Sequence, residues 1–195
     1  MQDVCDELEN INGWHFRINP AKQYIYYADI DGFENDIYEF RDDIFEFVNI
    51  QFGIKLENND FKYTRNMSKL SSYHISIPKI YGYPSVFKIL AQQLTEKYPD
   101  KYLSGNNSII DTSVYGEHWF RAPNQLKESK TGTEHRIIKG EIKDFIIEYI
   151  PLDSILLGTY ATKEIDCKPG KIINKIIDIV ESSNTIFTNE NTGIQ

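Results

Sequence analysis

The spacing of apolar side chains predicts three amphipathic helices. Apolar residues recur at helical intervals over 35–51, and Gly53 is placed to end that helix. A second helix is predicted from Pro84 to about residue 98, because proline suits the first turn of a helix and a further proline follows directly. A third, shorter pattern of the same kind covers 170–181.

Strands are predicted where aromatic and β-branched residues run together or alternate. The most apolar of these segments is 24–30, which Gly32 helps to end. The remaining predicted strands are 61–65, 73–77 (stopped by Pro78), 108–111, 136–138 and 144–150. Single strands between helices predict a mixed α/β (α+β) fold.

Composition indicates an ordinary globular chain with an uneven distribution of charge. The 195 residues carry a net charge of −8, of which residues 29–60 alone account for −8, whereas 121–143 carry +3. An acidic segment can hold divalent metals and a basic segment can hold phosphates, but both can equally be solvated surfaces. The two cysteines form neither a disulfide framework nor a Cys-x-x-Cys zinc motif. With no signal-like N-terminus and no long apolar run, we expect an intracellular protein without a membrane span.

Asp29 and Asp31 form the first candidate site. Residues i and i+2 of a strand face the same side, so both carboxylates should point one way. Two adjacent carboxylates repel each other unless a cation lies between them, and a divalent metal is the usual solution. The alternative is a pair of strand-end acids in water.

Further candidates follow along the chain. Ser72 and His74 share one strand face and can both donate to phosphate oxygens. Asp111 ends a short apolar strand, and Arg121 and Lys127 lie on a segment that Pro123 prevents from being a simple helix. Each of these patterns is common on protein surfaces when taken alone.

The ordered set of motifs resembles the archaeo-eukaryotic primase superfamily. The closest likeness is to the primase domains of poxvirus and giant-virus primase-helicases and of eukaryotic primase-polymerases. It covers roughly residues 20–150, and its most specific part is 110–115 followed by Phe120-Arg121, Lys127 and Lys130. The sequence departs from relatives that carry a lysine where Leu70 stands or an arginine where His118 stands.

The resemblance implies an enzyme that synthesises primers from nucleoside triphosphates on a single-stranded DNA template. It implies two divalent ions, Mg²⁺ or Mn²⁺, held by Asp29, Asp31 and Asp111. The residues implied to bind the incoming nucleotide are Ser72, His74, Arg121, Lys127 and Arg136. The implied fold is an N-terminal α/β unit, up to about residue 68, packed on a sheet like that of RNA-recognition modules.

We expect a catalytic domain over 1–157, then a linker, a short helix and a frayed tail over 158–195. Such a domain is either part of a larger primase-helicase or a small stand-alone relative with a separate helicase partner. Abundant isoleucine and scarce arginine suggest an AT-rich, viral genome, which would place the protein in the host cytoplasm or a replication factory.

Two other functions remain open. Glu141 and Lys143 form a Glu-x-Lys motif that could, with Asp111, make the site of a metal-dependent nuclease. The chain could also be a catalytically silent module that binds nucleic acid or nucleotides. A rolling-circle initiator would need a His-x-His motif, which the four histidines do not form.

Overall fold

The structure is a computed structural model that describes residues 4–6, 13–127 and 133–158. The helix predicted over 170–181 and nearly all of the predicted tail lie outside the described residues. In this part of the chain, no helix has both the length and the apolar character needed to cross a membrane.

Most of the strands belong to one sheet. In chain order they are β1 (His15–Arg17), β2 (Tyr24–Asp31), β3 (Lys62–Asn66), β4 (Ser72–Gly82), β5 (Leu103–Ser104), β6 (Asn107–Ser108), β7 (Trp119–Arg121), β8 (His135–Lys139) and β9 (Ile155–Leu156). The main sheet has the order β2-β4-β3-β8, all antiparallel, and β9 lies parallel to β4. β1 pairs with β7, and β5 with β6, as separate two-stranded ribbons. With its helices, the chain has the mixed α+β architecture predicted from the sequence.

The two long predicted helices are present. They are α1 (Ile37–Phe52) and α2 (Pro84–Lys97), followed by the one-turn α3 (Pro99–Tyr102). The Asp36 side chain caps α1 by accepting from the amide of Tyr38, and Gly53 ends it in the left-handed conformation at φ 68°. Pro84 opens α2, as the sequence indicates.

Aromatic rings fill the core between the helices and the sheet. The Phe87 ring of α2 packs edge-on against Tyr26 and Tyr27 of β2. The Phe40 ring of α1 contacts Phe61 and Tyr102. These contacts bury large apolar areas and hold β2, which carries the first candidate site, in a fixed position.

Three predicted strands differ from the structure. β4 continues through Pro78. Residues 78–80 form a bulge that has no partner in β2, so the missing amide of the proline breaks no hydrogen bond between β2 and β4. The prediction over 144–150 is wrong: Ile142–Phe145 is a 3₁₀ helix and no strand follows until Ile155. Phe145, Ile146 and Ile147 are buried all the same, and a short buried run does not distinguish the two structures. Predicted strand 108–111 makes only one bridge pair with β2, between Ile110 and Ile30.

Ser68 does not mark a boundary between two units. It lies in the turn that joins β3 to β4, so segments before and after it alternate within one sheet. This turn brings residues 66–71 to the edge of the sheet where β2 ends, because Ser71 accepts hydrogen bonds from the amides of Gly32 and Phe33.

Candidate active site

One pocket of about 480 Å³ collects nearly all of the predicted site residues. Its floor is a polar face of the main sheet, and its walls are the β1–β7 ribbon, the segment around Asp111 and the β3–β4 turn. The predicted residues that line it are Asp29, Asp31, Ser72, His74, Asp111, Arg121 and Lys127.

The pleat of the sheet explains the polar floor. Asp29 pairs with His74 and Asp31 pairs with Ser72 across the β2–β4 ladder, and directly paired residues share a face. Thr64 of β3 continues the same row beyond His74. The alternate residues Ile30 and Tyr73 lie buried on the other side of the sheet. Thus the period of two residues that buries one face also assembles the site on the other.

Asp111 reaches the site through backbone hydrogen bonds. Its amide donates to the carbonyl oxygen of Asp29 at 2.9 Å, and the amide of Asp31 donates to the carbonyl of Ile109 at 2.8 Å. Beyond this bridge the Asp111 carboxylate accepts from the amide of Ser113 at 2.8 Å and so caps a 3₁₀ helix, Thr112–Tyr115. The third acid is therefore held beside the first two, although it lies 80 positions after Asp31.

The surroundings of Asp29 disfavour its ionised form. Its side chain is only 23% exposed. Burial, followed by the charges of Asp31 and Asp111, raises the pKa of Asp29 to about 7, although Arg121 and Lys69 oppose the shift. A cation in the pocket would relieve this cost.

Asp31 is stabilised in its ionised form. Partial burial works against the charge, but the hydrogen bond from Ser72 and the contact with Lys69 outweigh it and lower the pKa of Asp31. The Nζ atom of Lys69 lies 3.1 Å from Oδ1 of Asp31. Lys69, which the β3–β4 turn presents, thus supplies a positive charge that the sequence motifs did not assign.

His74 lies against a second histidine. Its ring stacks on that of His135 with 3.6 Å between centroids and 17° between planes. Burial, then the neighbouring His135 and Arg121, hold the pKa of His74 well below its usual range, and burial lowers the pKa of His135 to about 3. Both rings are neutral at pH 7. At 3.7 Å from the Asp29 carboxylate, the Nε2 atom of His74 is too distant for a normal hydrogen bond.

Asn66 connects the floor of the pocket to its turn. Its Oδ1 atom accepts from the amide and hydroxyl of Ser68, at 2.9 and 2.8 Å, and from the amide of Lys69 at 3.0 Å. Its Nδ2 atom lies 3.3 Å from Nε2 of His135 and 3.5 Å from the carbonyl oxygen of Thr133. One buried side chain therefore holds both the turn that carries Lys69 and the ring beneath His74.

Arg121 and Lys127, two of the basic residues of the pocket, meet at Thr133. Nη1 of Arg121 donates to the Thr133 carbonyl at 2.6 Å, and the Lys127 amide donates to the Thr133 hydroxyl at 2.9 Å. The Lys127 side chain is exposed at the pocket wall. Lys130, part of the same motif, lies outside the described residues.

Arg136 is the predicted site residue that the structure does not bring to this pocket. It alternates with His135 along β8, so its side chain points away from the floor. There it pairs with Glu134 at 2.8 Å and lines a separate groove with Asn124 and Leu126.

The Glu-x-Lys motif also lies apart from Asp111. Glu141 and Lys143 pair with each other at 2.8 Å, both largely in water, and neither lines the pocket. Lys143 lies on a 3₁₀ helix, Ile142–Phe145, and Glu141 caps it, so the motif does not lie on a strand as a one-strand nuclease site requires.

The donor chemistry of the pocket suits a hard divalent cation, since Mg²⁺ and Mn²⁺ prefer carboxylate oxygens. Asp29, Asp31 and Asp111 are the residues that would hold such ions. In the described ranges, however, no three His, Cys, Asp or Glu side chains are grouped as a ready-made metal site. Ion binding would need the carboxylates to turn toward one another and Lys69 to release Asp31.

The motifs missed several residues of the pocket. His135 and Asn66 are buried polar residues on neighbouring strands, a combination that alternation within each strand could have flagged. Thr133 acts through its backbone carbonyl as well as its hydroxyl, and no residue pattern reveals a contact made by the backbone. Trp119 at the pocket wall stands out because an exposed tryptophan is unusual.

The sequence matches no protein-family model and no curated protein.

Proposed function

We propose that this chain is a primase-polymerase that joins nucleoside triphosphates on a single-stranded DNA template. One observation carries the proposal: Asp29, Asp31 and Asp111 line the same pocket as Arg121 and Lys127. Acids that can hold metals thus face bases that can hold phosphates. This is the arrangement that the resemblance to archaeo-eukaryotic primases implies for these positions.

The carboxylates would hold two divalent ions. Such ions supply charge neutralisation at a transferring phosphoryl group and activation of the attacking hydroxyl. Burial first, and then the charges of Asp31 and Asp111, raise the pKa of Asp29, and bound cations would offset both effects. Asp31 exchanges its contact with Lys69 for a metal in this scheme.

The remaining side chains bind the triphosphate. Arg121 is anchored by one nitrogen to the Thr133 carbonyl, which leaves the rest of its guanidinium to meet phosphate oxygens. The hydroxyl of Ser72 and the neutral imidazole of His74 carry one donor each, which they use toward Asp31 and the backbone of Arg121. Both would exchange these partners for phosphate oxygens. Lys69, once released from Asp31, adds a further positive charge beside them.

Template-directed incorporation of labelled nucleotides tests the proposal. In the presence of Mg²⁺ or Mn²⁺ we expect the wild-type chain to extend a primer and Asp111→Asn to lose that activity by at least a hundredfold. Asp153→Asn is the matched control, because Asp153 is an exposed acid that pairs with Lys79 far from the pocket. Strand or nucleotide binding without any incorporation would instead identify a silent binding module, and degradation of the template would identify a nuclease.

The proposal includes a partner. A chain with a net charge of −8 offers little attraction to DNA, so a helicase module that holds the strand nearby would raise its effective concentration.

A further inference from the structure

The β1–β7 ribbon has one buried face and one face toward solvent. Phe16 and Phe120 pair across it and are both buried. The Phe120 ring packs against His74 at 4.7 Å and Tyr27 at 4.9 Å between centroids. The ribbon is therefore fixed to the floor of the pocket by its inner face.

The outer face of the ribbon combines an aromatic ring with positive charge. Trp119 pairs with Arg17, and Arg121 pairs with His15, so these four residues share the side opposite to the two phenylalanines. We call this set the ribbon outer face.

Trp119 is the feature of this face that needs an explanation. It is 60% exposed, although tryptophan carries the largest apolar surface of any side chain. It also lines the pocket, next to the residues proposed to bind a triphosphate. An exposed indole at the mouth of a polar pocket offers a flat surface on which a nucleobase can stack.

Arg17 extends the positive charge beyond the pocket. It does not line the pocket, and its present partner is Glu117 at 2.7 Å. Both side chains are about two thirds exposed, and an ion pair of this kind in water is weak. The guanidinium can therefore exchange Glu117 for a phosphate at little cost.

We propose that the ribbon outer face binds a single-stranded nucleic acid, with one base stacked on Trp119 and a backbone phosphate at Arg17. The inference rests on the proposed function and names where the strand lies. A strand fits better than a free nucleotide because the charge continues to Arg17, outside the pocket in which the triphosphate would lie. Stacking accepts any base, as template-directed synthesis requires.

Tryptophan fluorescence provides a direct test, because the chain has only two tryptophans. Trp14→Phe leaves Trp119 as the single reporter. We expect oligothymidylate, added without metal, to quench this emission in a saturable manner. A nucleoside triphosphate at the same nucleotide concentration should quench it much less.

Binding of a labelled oligonucleotide gives the energetic test. Trp119→Ala should weaken binding about tenfold to a hundredfold, as expected for loss of one base–aromatic stack, and Trp119→Phe should recover part of the loss. Arg17→Ala should make the slope of the logarithm of the association constant against the logarithm of salt concentration less negative by about 0.7, the value for one phosphate on a single strand. Arg136→Ala is the matched control and should leave the slope unchanged.

The outcomes separate this inference from the proposed function. If Trp119→Ala binds oligonucleotide as tightly as wild type, or if oligothymidylate leaves the emission of Trp119 unchanged, the ribbon outer face does not bind the strand. If quenching occurs and depends on Trp119 but the wild-type chain incorporates no nucleotide, the strand site stands and the polymerase proposal fails. Asp111→Asn should abolish incorporation while leaving the quenching by oligothymidylate intact.

Discussion

The backbone amide of Asp111 donates a 2.9 Å hydrogen bond to the carbonyl oxygen of Asp29. This bond belongs to a single antiparallel bridge, between Ile30 and Ile110, which draws a distant segment to the end of β2. The two carboxylates are thus brought together by main-chain geometry, which holds even where their charges repel. Electrostatic repulsion within the pocket is consequently a property of the folded state that solution measurements can detect.

The first prediction concerns the stability of the metal-free protein. The pKa of Asp29 is raised to about 7 in the folded state from an ordinary value near 3.8. The folded state therefore binds more protons than the unfolded state between these values, and stability falls as pH rises through this window. The free energy of unfolding of the wild type should therefore fall by on the order of 2–4 kcal/mol between pH 4 and pH 7.5, and Asp29→Asn should remove this fall.

Urea unfolding in the presence of a chelator, repeated across this pH range, measures the effect. Asp153→Asn serves as control because that exposed acid lies outside the pocket and pairs with Lys79. Identical pH profiles for Asp29→Asn and the wild type would show that Asp29 ionises normally.

The second prediction concerns His135, whose pKa is lowered to about 3 by burial. A histidine with a depressed pKa binds fewer protons when folded, so its contribution to stability is lost as pH falls below about 6.5. In His135→Gln, stability should fall less steeply as pH decreases below about 6.5 than it does in the wild type. His118→Gln, at an exposed position of the same pocket, should not.

Thermal unfolding between pH 4 and pH 7 reports the difference between the two variants. Because Asp29 acts in the opposite direction over part of this range, the comparison should be made in the Asp29→Asn background. If stability falls as steeply with decreasing pH in His135→Gln as in the background variant, His135 is not the source of the loss, and His74, whose pKa burial also lowers, is the remaining buried histidine of the pocket.

The third prediction concerns the two roles of Asn66. Asn66→Asp keeps the oxygen that accepts from Ser68 and Lys69 but loses the donor that faces His135 and the Thr133 carbonyl. Asn66→Ala loses both. Since a buried donor or acceptor left unpaired costs about 1–3 kcal/mol, we expect stability to fall in the order wild type, Asp variant, Ala variant.

Denaturant unfolding gives this order, and nucleotide KM shows whether the pocket follows. We expect KM to rise in Asn66→Ala because the turn that carries Lys69 is no longer held. Equal losses in both variants would indicate that the donor alone matters.

The fourth prediction compares two arginines. Arg121→Ala should raise the nucleotide KM by roughly tenfold to a hundredfold, the effect of one charge-assisted contact with phosphate. Arg136→Ala removes the same charge outside the pocket and should change KM by less than about twofold. Steady-state primer extension measures both, and an equal rise in KM for the two variants would show that only overall charge matters.

Local sequence pattern was sufficient for several parts of this structure. The two long helices and their ends follow from apolar spacing, a proline and a glycine, all of which act within a few residues. The same holds for the pairs Asp29/Asp31 and Ser72/His74, since the pleat alone puts residues i and i+2 on one face.

Only the tertiary structure decided which distant segments meet. Asp111 joins Asp29 through one bridge, and His135 lies under His74 because β8 pairs with β3 in a particular register, which also points Arg136 away. Residues 145–147 are buried as their composition suggests, yet the segment turns instead of extending. Burial and strand pairing depend on residues far apart in the chain, and no local period of apolar side chains encodes such a choice.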